Sequence, residues 1–531
     1  MGGNGTVARM PSGNRVALSL TVDGRPVTVD DDGSSLLDVL REQLGERSPK
    51  DGCSPQGQCG CCTVLVDGQP RVACVTPARR VAGRSVTTVD GLADARHWAG
   101  ALCATGGSQC GFCTPGIVVR LSGLRAGGAG CGDVAAAERA LLAHLCRCTG
   151  WRTILDAWSI DGPVDPWHGR DPAAAAARAS LEGGVVQAVG PDVAFGRAGF
   201  AADKVPAGAL VAVPDRSAGW AVGETLAEAR QAAGKVQGRR TTAAARPPLA
   251  VPDGSWDLTL RTSWVEPAYL ETDASWCEPG GEPASPLANG GAFGAKRSSP
   301  APAAARRLAD EHGRAVLVLL SREDCVRLGP KRPPMAAGIR ADATGSVRVV
   351  RTPGIADAFA LAGAGLTVEE VEVAGPPTSA DLRAAGWAEA AVLRAGVAGE
   401  RVVRVVDPHT GGAASAEVLA TGEVRVAVEA GASFDDVTLH SYCVGAAHQA
   451  LGWVTSEGLA VDSDGTVLDL TIRSFGVLRA VDTPPITVQI EPAPAGAEPV
   501  AASDAVFAAV AAAAWVAQGC PPEWPTGRNV R

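Results

Sequence analysis

The sequence predicts a mixed α+β chain of several domains, and three observations point there. With 531 residues, the chain is longer than one hydrophobic core usually holds. Near its start, alternating apolar residues, Asp-Gly turns and a leucine-rich stretch give the order hairpin, helix, hairpin. Two cysteine-rich segments then follow within the first third, the second of them set among helical patterns.

Hydrophobic residues make up 46% and charged residues 20% of the chain, which suits globular domains. A net charge of −9 with no basic run argues against a nucleic-acid partner. The longest apolar stretch, "AVFAAVAAAAWVA" from Ala505 to Ala517, is too short and too alanine-rich to cross a bilayer, so no membrane role is expected. The opening "MGGNGTVARMPSGN" has no apolar core of the kind a signal peptide carries. The 15 cysteines are odd in number and crowded towards one end, unlike a secreted disulfide scaffold. A reducing cytoplasm is therefore expected, where clustered cysteines serve metal or redox chemistry.

Val16, Leu18, Leu20 and Val22 alternate with small or polar residues, and Asp23-Gly24 turns the chain into a second strand at Val27 and Val29. Ser34 or Ser35 can cap the helix that follows, with Asp38 in its first turn, Leu36, Leu37, Leu40 and Leu44 on one face and Gly45 at its end. After the loop "CSPQGQCGCC", the run "TVLVDGQPRVAC" reads as another hairpin on Asp-Gly. Together these elements suggest a small sheet wrapped on one helix.

The cysteine loop admits a disulfide knot, a zinc site or an iron–sulfur cluster. A zinc ribbon pairs two separated Cys-x2-Cys knuckles, and this crowded loop is unlike that. A plant-type [2Fe–2S] loop spaces its ligands C-x4-C-x2-C with a distant fourth. Cys59 and Cys62 keep the x2 spacing and Cys74 can be the fourth, while Cys53 and Cys59 are separated by five residues rather than four. Gly52, Gly57 and Gly60 leave backbone N–H groups free to approach sulfur. Cys61 is left as a small buried residue or a substitute ligand.

The second segment holds Cys110 and Cys113 in "QCGFCTPG" and Cys146 and Cys148 in "LCRCTGWR". Thr114 can cap a helix with Pro115 in its first turn. Ala137, Leu141 and Leu145 share a face of a second helix, which must end near Gly150, because residues two apart cannot point the same way from a helix.

These motifs together resemble the two [2Fe–2S] domains of the xanthine dehydrogenase/aldehyde oxidoreductase family of molybdenum hydroxylases. The resemblance implies a β-grasp, ferredoxin-like domain over 14–90 and a four-helix [2Fe–2S] bundle over 91–162. It implies Cys53, Cys59, Cys62 and Cys74 as ligands of an outer cluster, and Cys110, Cys113, Cys146 and Cys148 as ligands of an inner one. It also places Gln109 and Cys148 against a pterin cofactor.

Further on, the alanine-rich stretch 163–190 reads as a linker. The resemblance then implies a shortened N-terminal molybdopterin segment over 191–262 and a compact α/β molybdopterin-binding domain over 263–531. "WVEPAYLETDASW" is similar to the family's segment close to the metal, and "ANGGAFGAK" to its glycine-rich cofactor loop. There Gly290, Gly291 and Gly294 would let backbone N–H groups close on an anionic cofactor, with Phe293 packed behind. "LHSYCVGAAHQALGW" resembles a later cofactor segment, around Gly445. Glu498 is the acidic residue placed like the family's catalytic base, before a final alanine-rich helix; His440 and His448 are alternative polar groups, though a lone histidine more often serves structure.

About 370 residues follow residue 162, fewer than the family's molybdenum portion usually has, and no flavin-binding segment is evident. The resemblance implies an oxidoreductase carrying two [2Fe–2S] clusters and molybdopterin with molybdenum, in a dinucleotide form the sequence does not specify. Its substrate would be an aldehyde or N-heterocycle. Electrons would leave through the inner and then the outer cluster to a separate flavoprotein or other acceptor subunit, docked near the Gly52–Cys62 loop, and a homodimer is a further expectation. Two other readings are an electron-transfer subunit with a degenerate molybdopterin domain and a zinc-binding structural protein.

Overall fold

The computed structural model describes residues 17–217, 219–234 and 241–527. Asn14 to Val16, at the start of the first expected domain, and Lys235 and Val236 lie outside them.

Strands β1 (Ala17–Val22) and β2 (Arg25–Asp30) pair antiparallel from Ala17↔Asp30 to Val22↔Arg25. Asp23 and Gly24 turn between them with φ of 49° and 77°, the left-handed pair that matches strand twist in a two-residue hairpin. Asp67 and Gly68, with φ of 49° and 75°, do the same between β3 (Thr63–Val66) and β4 (Gln69–Val72). With β5 (Ser85–Thr87) the sheet order is β2-β1-β5-β3-β4, and β1 runs parallel to β5. The helix α1 (Leu36–Asp38) starts in a capping box: Ser35 Oγ accepts from the Asp38 N–H, and the Asp38 carboxylate accepts from the Ser35 N–H, each at 3.2 Å. It continues as a π-helical turn, Val39–Gln43, and buries Leu36, Leu37, Val39 and Leu40 in the core shared with the sheet. This is the expected β-grasp.

Four helices follow: α2 (Ala95–Thr105), α3 (Thr114–Ala126), α4 (Val134–Ala140) and α5 (Arg152–Ser159). Trp98 of α2 stacks on Trp158 of α5 at 6.0 Å, and the Arg125 guanidinium of α3 lies 4.5 Å from the Trp98 ring. The α3 N-cap is Cys113 rather than Thr114. α4 stops before His144, so Cys146 and Cys148 fall in the loop preceding α5.

The stretch expected to be a linker contains a helix, α6 (Pro172–Gly183), capped by Asp171. Its alanines hide the pattern because one buried cation supplies much of the docking. Arg178 is fully buried and donates to Ser433 O at 2.7 Å, Val500 O at 2.9 Å and Glu182 at 3.1 Å. Glu182 in turn accepts from the Ser503 N–H at 2.9 Å, at the start of helix Ser503–Ala517.

The remainder forms three sheets. Strands β6 (Leu210–Pro214), β7 (Trp220–Gly223), β9 (Ala274–Cys277) and β10 (Val316–Leu319) make one, in the order β7-β6-β10-β9 once β8 (Leu258–Thr262) is set aside. β8 joins β11 (Met335–Ile339), β12 (Gly345–Val350), β13 (Leu366–Val371) and a two-residue strand, Glu523–Trp524. A third, four-stranded sheet spans residues 403 to 490. Strands from 191–262 thus pair with strands from 263–531, and the two expected segments are interwoven. Helices Asp436–Thr455 and Ser503–Ala517 run through this core. The latter is buried from Ser503 to Trp515 apart from Asp504, and its alanines allow close approach of neighbouring backbones. Among the described residues, no helix is long and apolar enough to cross a membrane.

Replacing Arg178 by methionine leaves the Glu182 carboxylate buried without its cation. A loss of about 3–5 kcal/mol in stability is expected, the scale for breaking a buried ion pair, checked by chemical unfolding against Arg178→Met.

Candidate metal centres and the glycine-rich loop

The loop over 48–62 and the short turn Ala73–Val75 bring the outer cysteines together. The Cys53 sulfur contacts those of Cys59 and Cys74, and Cys74 contacts Cys62. Backbone N–H groups of Gln56 and Gln58 point at Cys53 Sγ from 3.2 and 3.5 Å, and that of Cys74 at Cys62 Sγ from 3.4 Å. Hydrogen bonds from the Cys59 and Cys74 thiols hold Cys53 well below the usual thiol range, while those same contacts push Cys59 and Cys74 up. A buried group of thiols that share protons in this way is prepared to lose them to a metal.

The inner set sits at the start of α3 and in the loop between α4 and α5. Cys110 Sγ and Cys148 Sγ are 3.5 Å apart, and Cys113 contacts Cys146. Cys146 is held at about 6, first by the Cys113 thiol and also by the Thr149 hydroxyl 3.0 Å away. Cys113 is the N-cap of α3, and its hydrogen bond to Cys146, together with burial, pushes its own thiol well up. Among the described residues, no three such side chains meet as the ligands of one metal ion would. The outer sulfurs form a chain of contacts, Cys59 to Cys53, Cys53 to Cys74 and Cys74 to Cys62, and the inner ones meet as Cys110 with Cys148 and Cys113 with Cys146. Four thiols in each set suit a two-iron cluster.

The glycine-rich loop lies directly on the inner cysteines. Asn289, Gly290, Gly291, Phe293 and Gly294 all have positive φ, between 49° and 91°. A Cβ on Gly291 would stand 3.3 Å from both Cys110 Sγ and Cys148 Sγ. At Gly290 it would meet the Gln187 amide at 2.7 Å, and at Gly294 the Asp381 carbonyl at 1.9 Å. Asn289 Nδ2 donates to Gln109 O at 3.0 Å. The Gln109 amide, expected to face a pterin, donates to Cys148 O at 3.1 Å and to Ser441 Oγ at 2.9 Å. Gly445 is likewise a packing residue, since a Cβ there would fall 1.7 Å from Cys148 O. Behind Phe293 lies a cavity of about 40 Å³, lined in part by Glu266, Arg332 and Glu457.

Glu498 is exposed, in the segment 491–502 between a strand and the last helix, and lines none of the cavities beside the cysteines. His448 is buried with Nε2 3.1 Å from Leu478 O, and burial lowers it to about 3, which marks it as a neutral structural group.

Residues that the sequence reading passed over do more. Arg147, between the two inner cysteines, is buried and pairs with Glu457, Nη2 to Oε2 at 2.8 Å. It also donates through Nε to Pro267 O at 2.9 Å. Lys296 of the glycine-rich segment donates to Glu271 at 2.7 Å, both buried. Arg147 lies within "LCRCTGWR", Lys296 within "ANGGAFGAK" and Glu271 within "WVEPAYLETDASW", and that placement is the one signal the sequence carries for them.

Residues 20–87 match the model of the 2Fe-2S iron-sulfur cluster binding domain, and residues 88–159 that of the [2Fe-2S] binding domain. The chain is 40% identical over 148 residues to an aldehyde oxidoreductase of Megalodesulfovibrio gigas, covering 26% of this chain and 16% of that one. It is 35% identical over 146 residues to the xanthine dehydrogenase iron-sulfur-binding subunit of Escherichia coli O157:H7, covering 27% of this chain and 91% of that subunit. The chain belongs to the xanthine dehydrogenase/aldehyde oxidoreductase family. By sequence it spans less than a fifth of the length of the full aldehyde oxidoreductase it matches. The fold extends the likeness: the aldehyde oxidoreductase of Desulfovibrio desulfuricans ATCC 27774 superposes with a TM-score of 0.62, at 15% identity, covering 93% of this chain and 97% of that one.

Two paramagnetic signals are expected from the reduced protein. Cys110→Ser should abolish one and keep the other, measured by electron paramagnetic resonance, because each cysteine serves one set only.

Proposed function

We propose that the chain is an oxidoreductase of the molybdenum-hydroxylase type. Its two [2Fe–2S] clusters carry electrons one at a time from the oxidation of an aldehyde or N-heterocycle to an external acceptor. The observation that supports this reading is the arrangement of the two cysteine sets: the inner one lies against the glycine-rich loop, and Cys74 of the outer one is followed by the exposed Val75.

That surface is not the Gly52–Cys62 loop as a whole. Gln56 Nε2 donates to Leu470 O at 2.9 Å and Arg473 Nε to Gln58 O at 3.0 Å, so the loop is covered from the far end of the chain. Val75, next to the ligand Cys74 and against Gly57, is 52% exposed and is followed by exposed Arg79 and Arg80. An acidic flavoprotein suits an exit of that character, with an apolar contact over the ligand and cations beside it.

A molybdopterin centre, when bound, supplies the two-electron oxidation, and the chain's own residues supply the electron path away from it. A second reading places that centre in a separate chain. The closed packing at Gly290, Gly291, Gly294 and Gly445 favours it, since none of these glycines faces open space. The residues set against Cys110 and Cys148 would then form a docking seal rather than a cofactor bed.

Metal analysis of the purified chain, made with cofactor assembly machinery, separates the readings. About four irons per chain are expected from two two-iron clusters. Molybdenum at one per chain supports a resident centre; iron without molybdenum supports the electron-transfer subunit; zinc in place of iron overturns both. For the exit, Val75→Glu is expected to slow reoxidation by a flavoprotein about tenfold, the effect of about 1.4 kcal/mol, with both clusters retained. Unchanged stopped-flow rates would place the exit elsewhere.

A further inference from the structure

Two cavities meet at Glu271. One, of about 10 Å³, touches Cys110, Cys113 and Cys148 and is also lined by Lys296 and Phe200. That is about the space of one water. The other, of about 70 Å³, opens past Lys50, Asp203 and Arg41 towards Glu42, which is exposed. Glu271 and Phe200 line both. Glu271 is therefore the polar group shared by the outer cavity and the wall of the inner cysteine set.

Its own bonding is asymmetric. Oε2 accepts from Lys296 Nζ at 2.7 Å, while Oε1 is buried with no hydrogen-bond partner among the described residues. Such an oxygen is costly to keep bare and is ready to take a proton. Lys296 is held by Pro286 O at 3.1 Å and by the face of Tyr269, so it cannot follow a departing proton. The groups facing Glu271 are Lys296 from the glycine-rich segment, Asp203 from the turn Ala201–Asp203, Lys50 from the outer cysteine loop and Asp273 from its own segment. Arg147 and three inner cysteines share the cavity wall.

We propose that Glu271 is the proton-exchanging group of the inner cluster. When that cluster takes one electron, Glu271 takes one proton from the outer cavity, and it releases the proton when the electron moves on. The reductant is any one-electron donor, and charge at the buried site is conserved: one negative charge is added at the cluster and one is removed at the carboxylate. This rests on the inner cysteines holding a [2Fe–2S] cluster. Desolvation by burial, opposed by Lys296, places the Glu271 carboxyl at about 7, so the exchange falls near neutral pH. The extra charge of a reduced cluster raises it further. Below pH 7 the acid is protonated in both redox states, and between that pH and the higher one set by the reduced cluster protonation accompanies reduction.

The test is a redox titration of the intact, cluster-loaded protein followed by electron paramagnetic resonance between pH 6 and pH 9, with the inner signal identified by its loss in Cys110→Ser. The inner potential should be level below pH 7 and then fall by about 59 mV per pH unit, a tenfold change for a one-electron couple. Glu271→Gln should keep both signals and level the inner slope. Lys296→Gln, which removes the opposing cation, should move the onset to higher pH. An inner potential independent of pH in the wild type, or a slope that survives Glu271→Gln, overturns the proposal while leaving the clusters in place. A missing inner signal overturns both the cluster and the proposal.

Discussion

The structure turns on the loop that carries Cys146 and Cys148. Between them Arg147 is buried and paired with Glu457 just beyond helix Asp436–Thr455. A buried cation is tolerable only with its counter-ion and hydrogen bonds in place, so the loop cannot take its shape until the C-terminal part has formed. Gln449 Nε2 donates to Arg147 O at 3.0 Å, and Gly445 and Gly150 let the loop and helix backbones touch. The iron–sulfur bundle is therefore not a bead on a string. Its inner cysteines are completed by residues three hundred positions away.

The same constraint explains what the shortened C-terminal part does for the clusters. It buries the inner set under a loop of positive-φ residues and covers the outer loop through Gln56 and Arg473. Burial strengthens each N–H···S contact and excludes water from the thiolates. Beside the outer set, Val75 is exposed although Cys74 before it is buried.

Buried charge also gives this region its chemistry. Lys50 and Glu271 are both pulled towards neutrality by burial, Lys50 down to about 8 and Glu271 up to about 7. Groups poised in this way beside redox centres couple electrons to protons, whereas the same groups at the surface would keep fixed charges. The closeness of Asp203 to both lets one carboxylate influence the two.

By itself the sequence determined the local and covalent part of this protein. Two Asp-Gly turns, a Ser35 cap and a leucine face specify the β-grasp, because backbone dihedrals and short-range hydrogen bonds are set by neighbours in the chain. The spacing within one loop made Cys59 and Cys62 legible for the same reason, whereas the set Cys110, Cys113, Cys146 and Cys148 was implied by the family resemblance. Only the tertiary structure decided the rest. Within the run 163–190 the helix Pro172–Gly183 docks because Arg178 found carbonyls at 430–433 and 500, partners no local pattern announces. Glu498 stayed exposed while Glu271 and Glu457 were buried, and Gln109 and Gly445 were brought against Cys148. Burial is a property of the assembled fold, and the worth of a carboxylate, a glycine or an amide depends on what long-range packing brings within a few ångströms of it.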